Sequence, residues 1–201
     1  MGRFKAAFYD FQMGMAGKPL ASLRQATVAA ASGAVLELGV GTGQNLPFYP
    51  RGVQVVAIDP DPAFLRRAER RGQSSAASIH LILGAGEALP FADGTFDEVV
   101  ATLVFCTVGS PPVSLSEVRR VLKPRGRLRF IEHVRSDDPR WARIQDLVTP
   151  VWKRLADGCC PNRTTLATIE AAGFNIDSVE WHAFGPPIIR PQVRGTATAN
   201  G

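Results

Sequence analysis

The stretch that decides the fold is VLELGVGTG, at residues 35–43. The apolar run Ala34–Leu38 is typical of a buried strand, and it passes directly into three glycines, Gly39, Gly41 and Gly43. Glycine adopts backbone angles that side chains forbid, and it lets a ligand approach the main chain closely. We therefore expect a ligand site where the first strand ends.

The spacing of these glycines separates the loop from two other nucleotide-binding loops. A dinucleotide-binding loop reads G-x-G-x-x-G, and Gln44 occupies the place of its third glycine. A Walker-type phosphate loop is excluded because the chain contains no Gly-Lys-Ser or Gly-Lys-Thr sequence. An oxidoreductase function is therefore disfavoured.

An acidic residue follows the second predicted strand. Val53–Ile58 is an apolar run, and Asp59 comes directly after it, about 20 residues beyond Gly39. In a doubly wound sheet, an acid at this place accepts hydrogen bonds from ribose hydroxyls. Asp59 could instead be the N-cap of the next helix. Together with the glycine loop, ligand binding is the favoured interpretation.

Strand and helix signals alternate along the chain. Such alternation predicts an α/β fold with a doubly wound, mostly parallel sheet, in which ligands bind at the carboxyl ends of the strands. Seven strands are expected in all, at residues 34–38, 53–58, 79–83, 96–104, 127–134, 179–184 and 193–199, with helices at residues 3–15, 19–31, 62–71, 112–122, 139–156 and 162–172.

Composition and charge are those of a globular protein of ordinary size. The 201 residues are 45% apolar and 20% charged, values that suit one globular domain. The net charge of +5 is scattered over several helices, so arginine-rich solvated faces are expected. A weak peripheral contact with acidic membranes is the alternative.

Neither a membrane span nor a disulfide framework is expected. No apolar run reaches the ~20 residues of a spanning helix, and no apolar segment of a secretory signal follows Met1. Cys106, Cys159 and Cys160 are expected to pack as small apolar side chains in the reducing cytoplasm. Two adjacent cysteines supply too few ligands for a metal, so no metal is expected.

Four motifs in order resemble a known family. After the glycine loop and Asp59 come GAGEALPFADGTFD at residues 84–97 and VLKPRG at residues 121–126. In order and spacing, the four are similar to the class I S-adenosyl-L-methionine (SAM) dependent methyltransferases of the type-11 branch. The resemblance covers about residues 34–134. It implies a Rossmann-like methyltransferase fold, SAM as methyl donor and S-adenosyl-L-homocysteine as product.

The resemblance also implies which residues hold SAM. In the family, the glycine loop holds the methionine part, the acid of the second strand holds the ribose, and the residues before LPF hold the adenine. Many members carry an acid where Ala85 stands, so the adenine partner is expected to be main chain or Glu87. Tyr9 resembles an aromatic residue that closes over SAM, or else it packs in an amphipathic helix. The expected cofactor-binding set is Tyr9, Glu37, Gly39, Gly41, Gly43, Asp59, Pro60, Ala85, Gly86, Glu87 and Leu103.

Further motifs in the second half of the chain make the resemblance more specific. They read LVFCTV at residues 103–108, EHV at 132–134 and ADGCC at 156–160, followed by Arg163. This combination is similar to the mammalian microsomal alkyl-thiol methyltransferases and their bacterial relatives, and it extends the likeness to about residue 174. The mammalian enzymes begin with a hydrophobic membrane anchor that this sequence lacks, so microsome-like attachment is not expected.

His133 and Asp157 are the candidate catalytic residues. His133 ends the fifth predicted strand on the ligand side, and its charge can change near pH 7. It is expected to be a general base or a substrate contact, or else a hydrogen-bonded structural histidine. Asp157 is expected to orient the substrate, or else to shape the turn before Gly158.

The resemblance divides the chain, taken as one domain of residues 1–201, into three parts. Residues 1–32 are expected to form a helical lid, residues 33–134 the SAM-binding half and residues 135–201 the substrate-side half. Trp141, Val148 and Trp152 lie on a predicted helix that would extend the lid or pack in the core.

The favoured function is transfer of a methyl group from SAM to a small lipophilic acceptor, most of all a thiol. One alternative is a methyltransferase for a phospholipid amine or a quinone intermediate, and another is a non-catalytic SAM-binding module. Nucleic acid is not expected as a partner, because no Asn-Pro-Pro-Tyr or Asn-Pro-Pro-Phe follows the fourth strand. A cytoplasmic location is expected, and the sequence leaves the oligomeric state open.

Overall fold

The computed structural model describes residues 2–200, without the side chains of residues 2–5, 8, 12, 13, 15 and 16. Within these bounds, the strands are β1 Ala34–Leu38, β2 Gln54–Asp59, β3 Ser78–Leu83, β4 Phe96–Thr102, β5 Leu122–His133, β6 Phe174–Ala183 and β7 Pro191–Ala199. They form one seven-stranded sheet in the order β3-β2-β1-β4-β5-β7-β6.

Strands β1 to β5 pair in parallel, and β7 runs antiparallel to both β5 and β6. This arrangement confirms the predicted doubly wound, mostly parallel sheet. After β3 the chain returns to the other side of β1 and forms β4, so the strand order reverses between β1 and β4. Ligands in open α/β sheets bind in the crevice at such a switch point.

Helices cover the sheet and, among the described residues, have the bounds α1 Gly2–Val28, α2 Pro62–Gly72, α3 Pro111–Val121, α4 Pro139–Leu155 and α5 Thr165–Ala171. Helix α1 is kinked at Gly17, whose φ of 64° and ψ of −156° are not helical. The kink separates the two N-terminal helices that the sequence predicts. In the part of the chain that the structure describes, no helix combines the length and the apolar character that crossing a membrane would require.

The core lies on both faces of the sheet. Because successive strand residues point to opposite faces, Leu36 and Val99 join one apolar cluster while Val35 and Val100 join the other. The first cluster includes residues of α3 and α5, and the second includes residues of α1 and α2. Both faces of the parallel strands are therefore covered, as parallel sheets require.

All three late strands begin earlier than the sequence predicts, β5 and β6 by five residues and β7 by two. Strand β5 begins at Leu122, which pairs with Phe96, and the register then shifts so that Arg127 faces Glu98. The polar residues between Leu122 and Arg127 have the composition of a turn, so the sequence predicts a strand only from residue 127. Arg125 has a positive φ of 62°. Strand β6 begins at Phe174 instead of residue 179. Its first residues pair with β7 although they are mostly polar and lack the apolar alternation that predicts a strand.

Candidate active site

A cavity of about 570 Å³ lies at the carboxyl ends of β1, β2, β4 and β5. This volume is within the usual range for a small-molecule site. The predicted residues that line it are Tyr9, Gly39, Gly41, Asp59, Pro60, Gly86, Glu87, Leu103, His133 and Asp157. Three further members of the predicted set, Glu37, Gly43 and Ala85, are not among the described lining residues.

The glycine loop forms a bend that only glycine fits well. Gly39 and Gly41 have positive φ values of 62° and 56°. A Cβ on Gly39 would lie 2.8 Å from Cγ2 of Val104, closer than real side chains approach. At Gly43, a Cβ would lie 2.7 Å from the Cα of Ala68. Gly43 therefore allows close packing of α2, while Gly39 and Gly41 face the cavity.

Asp59 is fixed by two main-chain hydrogen bonds at the end of β2. The N–H of Gly41 donates to Oδ2 over 2.9 Å, and the N–H of Asp61 donates to Oδ1 over 2.9 Å. Burial raises the pKa of the Asp59 carboxyl above its ordinary value, and these hydrogen bonds oppose the shift. The N-cap of α2 is Asp61, whose carboxylate accepts the N–H of Ala63 over 2.8 Å. The alternative N-cap role for Asp59 is therefore wrong.

Tyr9 of α1 lies over the glycine loop. Its ring packs against Phe64 of α2, with centroids 5.2 Å apart. Its Cε1 and hydroxyl oxygen are 3.8 Å from the place that a Cβ on Gly41 would take. Burial raises the pKa of the Tyr9 hydroxyl. Tyr9 thus packs between elements and also lines the cavity, and its predicted closure over SAM stays a prediction.

Asp10, which the sequence analysis missed, ties α1 to this loop. Its carboxylate accepts hydrogen bonds from Thr42 Oγ1 (2.6 Å), Gln44 Nε2 (3.0 Å) and Arg71 Nη1 (3.1 Å), and it also pairs with Arg67. Burial alone would raise the pKa of Asp10, but these partners hold it below its ordinary value. Two arginines of the α2 face that was expected to be merely solvated therefore have a structural partner.

Glu37 lies beneath the loop in a buried polar network. Its Oε1 accepts from the Asn45 amide over 3.0 Å, and that amide also contacts Thr102 over 3.0 Å. Arg24 of α1 donates to Asn45 Oδ1 and to Thr102 Oγ1. Burial raises the pKa of the Glu37 carboxyl to about 7, although Tyr49, Arg24 and Asn45 oppose the shift. The described contacts of Glu37 thus connect strand ends to α1, and its predicted contact with the cofactor stays a prediction.

Glu87 is engaged by the main chain before α3. Its Oε1 accepts the N–H groups of Gly109 (3.0 Å) and Ser110 (3.4 Å). Gly86 is buried beside it, and a Cβ there would lie 3.0 Å from Leu38 Cδ1. Main-chain donors thus engage the Glu87 carboxylate, and the predicted adenine contacts at residues 85–87 stay predictions.

Glu132, another residue missed from the sequence, organises the segment after β4. Its fully buried carboxylate accepts the N–H groups of Val104 (2.8 Å), Phe105 (2.8 Å) and Cys106 (2.9 Å). Burial raises its pKa to about 7 even though these donors oppose the shift. Leu103, just before them, has a positive φ of 61°. The Glu that precedes His133 in the sequence was the available signal.

His133 lies among sulfur atoms in the wall of the cavity. Its Nδ1 is 3.5 Å from Cys159 Sγ and 3.7 Å from Cys106 Sγ. All three residues are buried and line the cavity, and the cysteines of the chain are free thiols. The expected burial of the cysteines is confirmed. Their contact with His133 could not be predicted, because the three positions are far apart in the sequence.

Asp157 and the end of α4 complete the wall. Asp157 has a positive φ of 49° and ends the helix before Gly158, whose N–H donates to the Lys153 carbonyl over 2.9 Å. Asp157 therefore shapes this turn and also lines the cavity. Trp152 lines the cavity too, whereas Trp141 and Val148 are 41% and 38% exposed and do not pack in the core.

The residues at the strand ends fit an adenosyl sulfonium cofactor. The main chain at Gly39 and Gly41 lines the cavity without a Cβ, and Asp59 presents a buried carboxyl group beside it. Small-molecule sites combine an apolar wall with few fixed polar groups, and Leu38, Ile58 and Val108 supply apolar lining here.

Comparisons with known proteins agree with this fit. A family profile described as a methyltransferase domain matches residues 36–130. Human thiol S-methyltransferase TMT1B is 41% identical over 84% of this chain and 73% of its own length. Phosphatidylethanolamine N-methyltransferase of Cereibacter sphaeroides is 34% identical over 69% of this chain and 70% of its own length.

A solved structure supports the fold independently. The protein BH2331 of Bacillus halodurans C-125 superposes with a TM-score of 0.74, covering 92% of this chain and 100% of its own, at 18% identity. The fold, the site and these relatives lead to one conclusion: the chain belongs to the class I SAM-dependent methyltransferases, close to the alkyl-thiol methyltransferases.

Proposed function

We propose that this methyltransferase transfers the methyl group of SAM to a small lipophilic thiol. The observation that carries the proposal is one cavity that joins the glycine bend and Asp59 to His133 and an apolar wall. Leu20, Trp152 and Ile189 belong to that wall, which suits a lipophilic acceptor. The similarity to a human thiol S-methyltransferase is higher and more extensive than that to a phospholipid-amine methyltransferase.

The cofactor side of the cavity has a distinct set of residues. We assign the methionine part of SAM to the main chain at Gly39 and Gly41, the ribose to Asp59 and the adenine to the main chain near Gly86. Tyr9 closes over them from α1. When bound there, SAM supplies an electrophilic methyl group on a sulfonium. The residues contribute by holding two reactants in position, an effect worth about 7–11 kcal/mol in well-oriented reactions.

The acceptor side is assigned to His133 and Asp157. A thiol has a pKa of ~8.5, so a few per cent is thiolate near neutral pH and a modest base is sufficient. His133 accepts the thiol proton or contacts the acceptor, and Asp157 orients it. In a single-turnover assay, His133→Ala is expected to slow methyl transfer between pH 6 and pH 8. An unchanged rate across that range would contradict the assignment.

The function is tested by offering labelled SAM together with thiols, amines, phenols and a lipid extract. We expect methylation of alkyl thiols, and Asp59→Asn is expected to weaken SAM binding in a parallel titration. Asp61→Asn is the matched control, because Asp61 caps α2 and is not assigned to the ribose. Preferred methylation of lipid amines would favour the phospholipid alternative. SAM binding without turnover on any acceptor would favour a non-catalytic module.

We further propose that α4 makes a weak contact with anionic membranes. Its exposed apolar side chains recur at helical spacing, with Ile144 40%, Leu147 80%, Val151 59% and Leu155 64% exposed. Lys153 and Arg154 in the last turn supply positive charge. An amphipathic helix of this kind lies in the interfacial plane of anionic lipids.

A vesicle-sedimentation assay tests the α4 contact. The Leu147→Ser, Val151→Ser double variant is expected to lose binding to phosphatidylserine vesicles. Val113→Ser, which removes an exposed apolar side chain of α3, is the control. Equal sedimentation of all three proteins would refute the contact.

A further inference from the structure

Three potential metal ligands from distant parts of the chain meet in the cavity wall. Cys106 follows β4, His133 ends β5 and Cys159 follows α4. One ligand atom from each lies within 4.8 Å of the other two. All three residues are buried, and all three line the cavity. The cluster is therefore enclosed by protein on one side and open to the cavity on the other.

The distances in this cluster match those of ligands that share one ion. Zinc binds cysteine sulfur at about 2.3 Å and histidine nitrogen at about 2.0–2.1 Å in tetrahedral sites, which puts sulfur and nitrogen about 3.5 Å apart. Here His133 Nδ1 is 3.5 Å from Cys159 Sγ and 3.7 Å from Cys106 Sγ. An ion could thus be held with little movement of the main chain.

Hydrogen bonds fix the two segments that carry the cysteines. The carboxylate of Glu132 accepts the Cys106 N–H over 2.9 Å. The N–H of Cys160 donates to the Cys106 carbonyl over 2.7 Å, which joins the segment after α4 to the segment after β4. Arg163 adds a bond to the Val108 carbonyl over 2.9 Å. Such supporting contacts orient ligands in metal sites.

We propose that Cys106, His133 and Cys159 form a three-ligand site for a thiophilic divalent cation, with Zn²⁺ the preferred ion. Two thiolates and an imidazole suit zinc. Sites with two cysteines and one histidine keep the fourth position for water or substrate, and here that position faces the cavity.

The open position identifies what the site does, an inference that rests on the proposed thiol acceptor. The acceptor sulfur replaces the bound water, its S–H proton passes to solvent, and the coordinated thiolate is the form that attacks a methyl group. A thiol that coordinates zinc is deprotonated outright. With the ion bound, His133 would be a ligand that contacts the acceptor through the metal, water would take the proton, and the base role proposed above would hold only for the metal-free protein.

Metal binding is measured without reference to turnover. Reduced, metal-stripped protein is titrated with Zn²⁺ against a competing chelator, and Co²⁺ serves as a spectroscopic probe of thiolate ligation. We expect one ion per chain, with Cys106→Ser and Cys159→Ser weakening Zn²⁺ by more than the roughly 10–100-fold that loss of a supporting residue causes. Cys160→Ser is the matched control, because the Cys160 thiol contacts the Gly158 carbonyl and lies outside the cluster.

The outcomes separate this proposal from the proposed function. Equal Zn²⁺ affinity of the wild type and the Cys106→Ser variant, or an equal loss in Cys160→Ser, would overturn the site. A Co²⁺ spectrum that alkyl thiols leave unchanged would overturn the open fourth position. SAM binding, and thiol methylation measured both with and without Zn²⁺, report on the proposed function: no methylation in either state would contradict the function, whereas methylation by a protein that binds no Zn²⁺ would contradict the metal site alone. Circular dichroism of each variant shows whether it is folded, and the spectrum of the Co²⁺-loaded wild type tests the site without any substitution.

Discussion

At the scale of single residues, the donor side of the cavity depends on missing Cβ atoms. Gly39 and Gly94 have almost the same φ, 62° and 63°, but their surroundings differ. A Cβ at Gly39 would lie 2.8 Å from Val104, whereas a Cβ at Gly94 would meet nothing within 4 Å. Alanine in left-handed backbone costs roughly 1–2 kcal/mol, so both variants lose some stability for the same reason.

Only Gly39→Ala is expected to damage the SAM site. The added methyl group pushes the bend and Val104 apart, so we expect at least tenfold weaker SAM binding, which corresponds to about 1.4 kcal/mol. Isothermal titration of both variants measures the difference, with Gly94→Ala as the control for backbone strain. If the two variants bind SAM equally well, the close fit of the bend is unimportant.

The raised pKa of Glu37 leads to a prediction about how the free energy of unfolding depends on pH. Burial holds its pKa near 7, above the ordinary 4.5, so the folded state binds this proton more tightly than the unfolded state does. Its contribution to the free energy of unfolding is therefore fully present below pH 4.5 and is lost as the pH rises towards 7. Glutamine imitates the protonated acid and can still accept from Asn45.

The Glu37→Gln variant is expected to gain stability relative to the wild type as the pH rises. Between pH 5 and pH 8 the difference in unfolding free energy should grow by about 2–3 kcal/mol, at 1.36 kcal/mol per pKa unit. Urea unfolding at both pH values measures it. Glu132 is retained in both proteins, so its titration cancels in the difference. If the unfolding free energies of the two proteins change with pH in parallel, Glu37 ionises with its ordinary pKa.

At the scale of elements, Asp10 decides how α1 is held over the cavity. One carboxylate accepts from Thr42 and Gln44 of the loop and from Arg67 and Arg71 of α2. Asp10→Asn removes the charge that these partners share. We expect SAM to dissociate several times faster and proteases to cleave nearer the N-terminus, with little change in the sheet.

Stopped-flow measurement of SAM dissociation tests the anchor, with the exposed Glu69→Gln on α2 as the matched control. Since the partners of Asp10 lower its pKa, its anchoring contribution is present above the ordinary pKa of 3.8 and is lost as the pH falls through the lowered value. The wild type should therefore approach the behaviour of Asp10→Asn in acid. If Asp10→Asn and Glu69→Gln release SAM at the same rate, α1 is held by other contacts.

The elements could be predicted well where apolar runs are uninterrupted. The limits of β1 agree with the sequence analysis, and those of β2 differ by one residue at each end. The glycine spacing and Asp59 also pointed to residues that line the cavity. The sequence could not show that Asp10 reaches α2 or that Cys106 meets Cys159, because those contacts depend on how distant elements pack. An isolated charge or thiol has no periodic signal.

At the scale of the whole molecule, the site and the stability of the sheet lie in different places. The cavity gathers residues from both termini at one edge of the sheet. Away from it, β4 and β5 are joined by a buried ion pair between Glu98 and Arg129. Arg129 also donates to the Ala30 carbonyl over 2.9 Å, so this pair connects the sheet to the segment after α1.

Removing one partner of that pair should affect folding much more than cofactor binding. Arg129→Met leaves the carboxylate of Glu98 buried, with a hydrogen bond from Ser32 over 3.3 Å and Arg127 3.9 Å away as its remaining described partners. Loss of one member of a buried pair costs about 3–5 kcal/mol, a large part of the total stability of a domain. We expect a loss of that size in urea unfolding, with SAM affinity of the folded protein nearly unchanged.

The double variant Glu98→Met, Arg129→Met distinguishes two effects: the loss of the ionic attraction, and the cost of leaving the Glu98 carboxylate buried without its partner. Replacing both members of a buried pair by apolar residues is often neutral or stabilising, so the double variant should recover most of the stability that the single variant loses. If instead the double variant is as unstable as Arg129→Met, then the bond from Arg129 to Ala30 and the packing of its side chain account for the loss, and the charge of Glu98 is tolerated in the core.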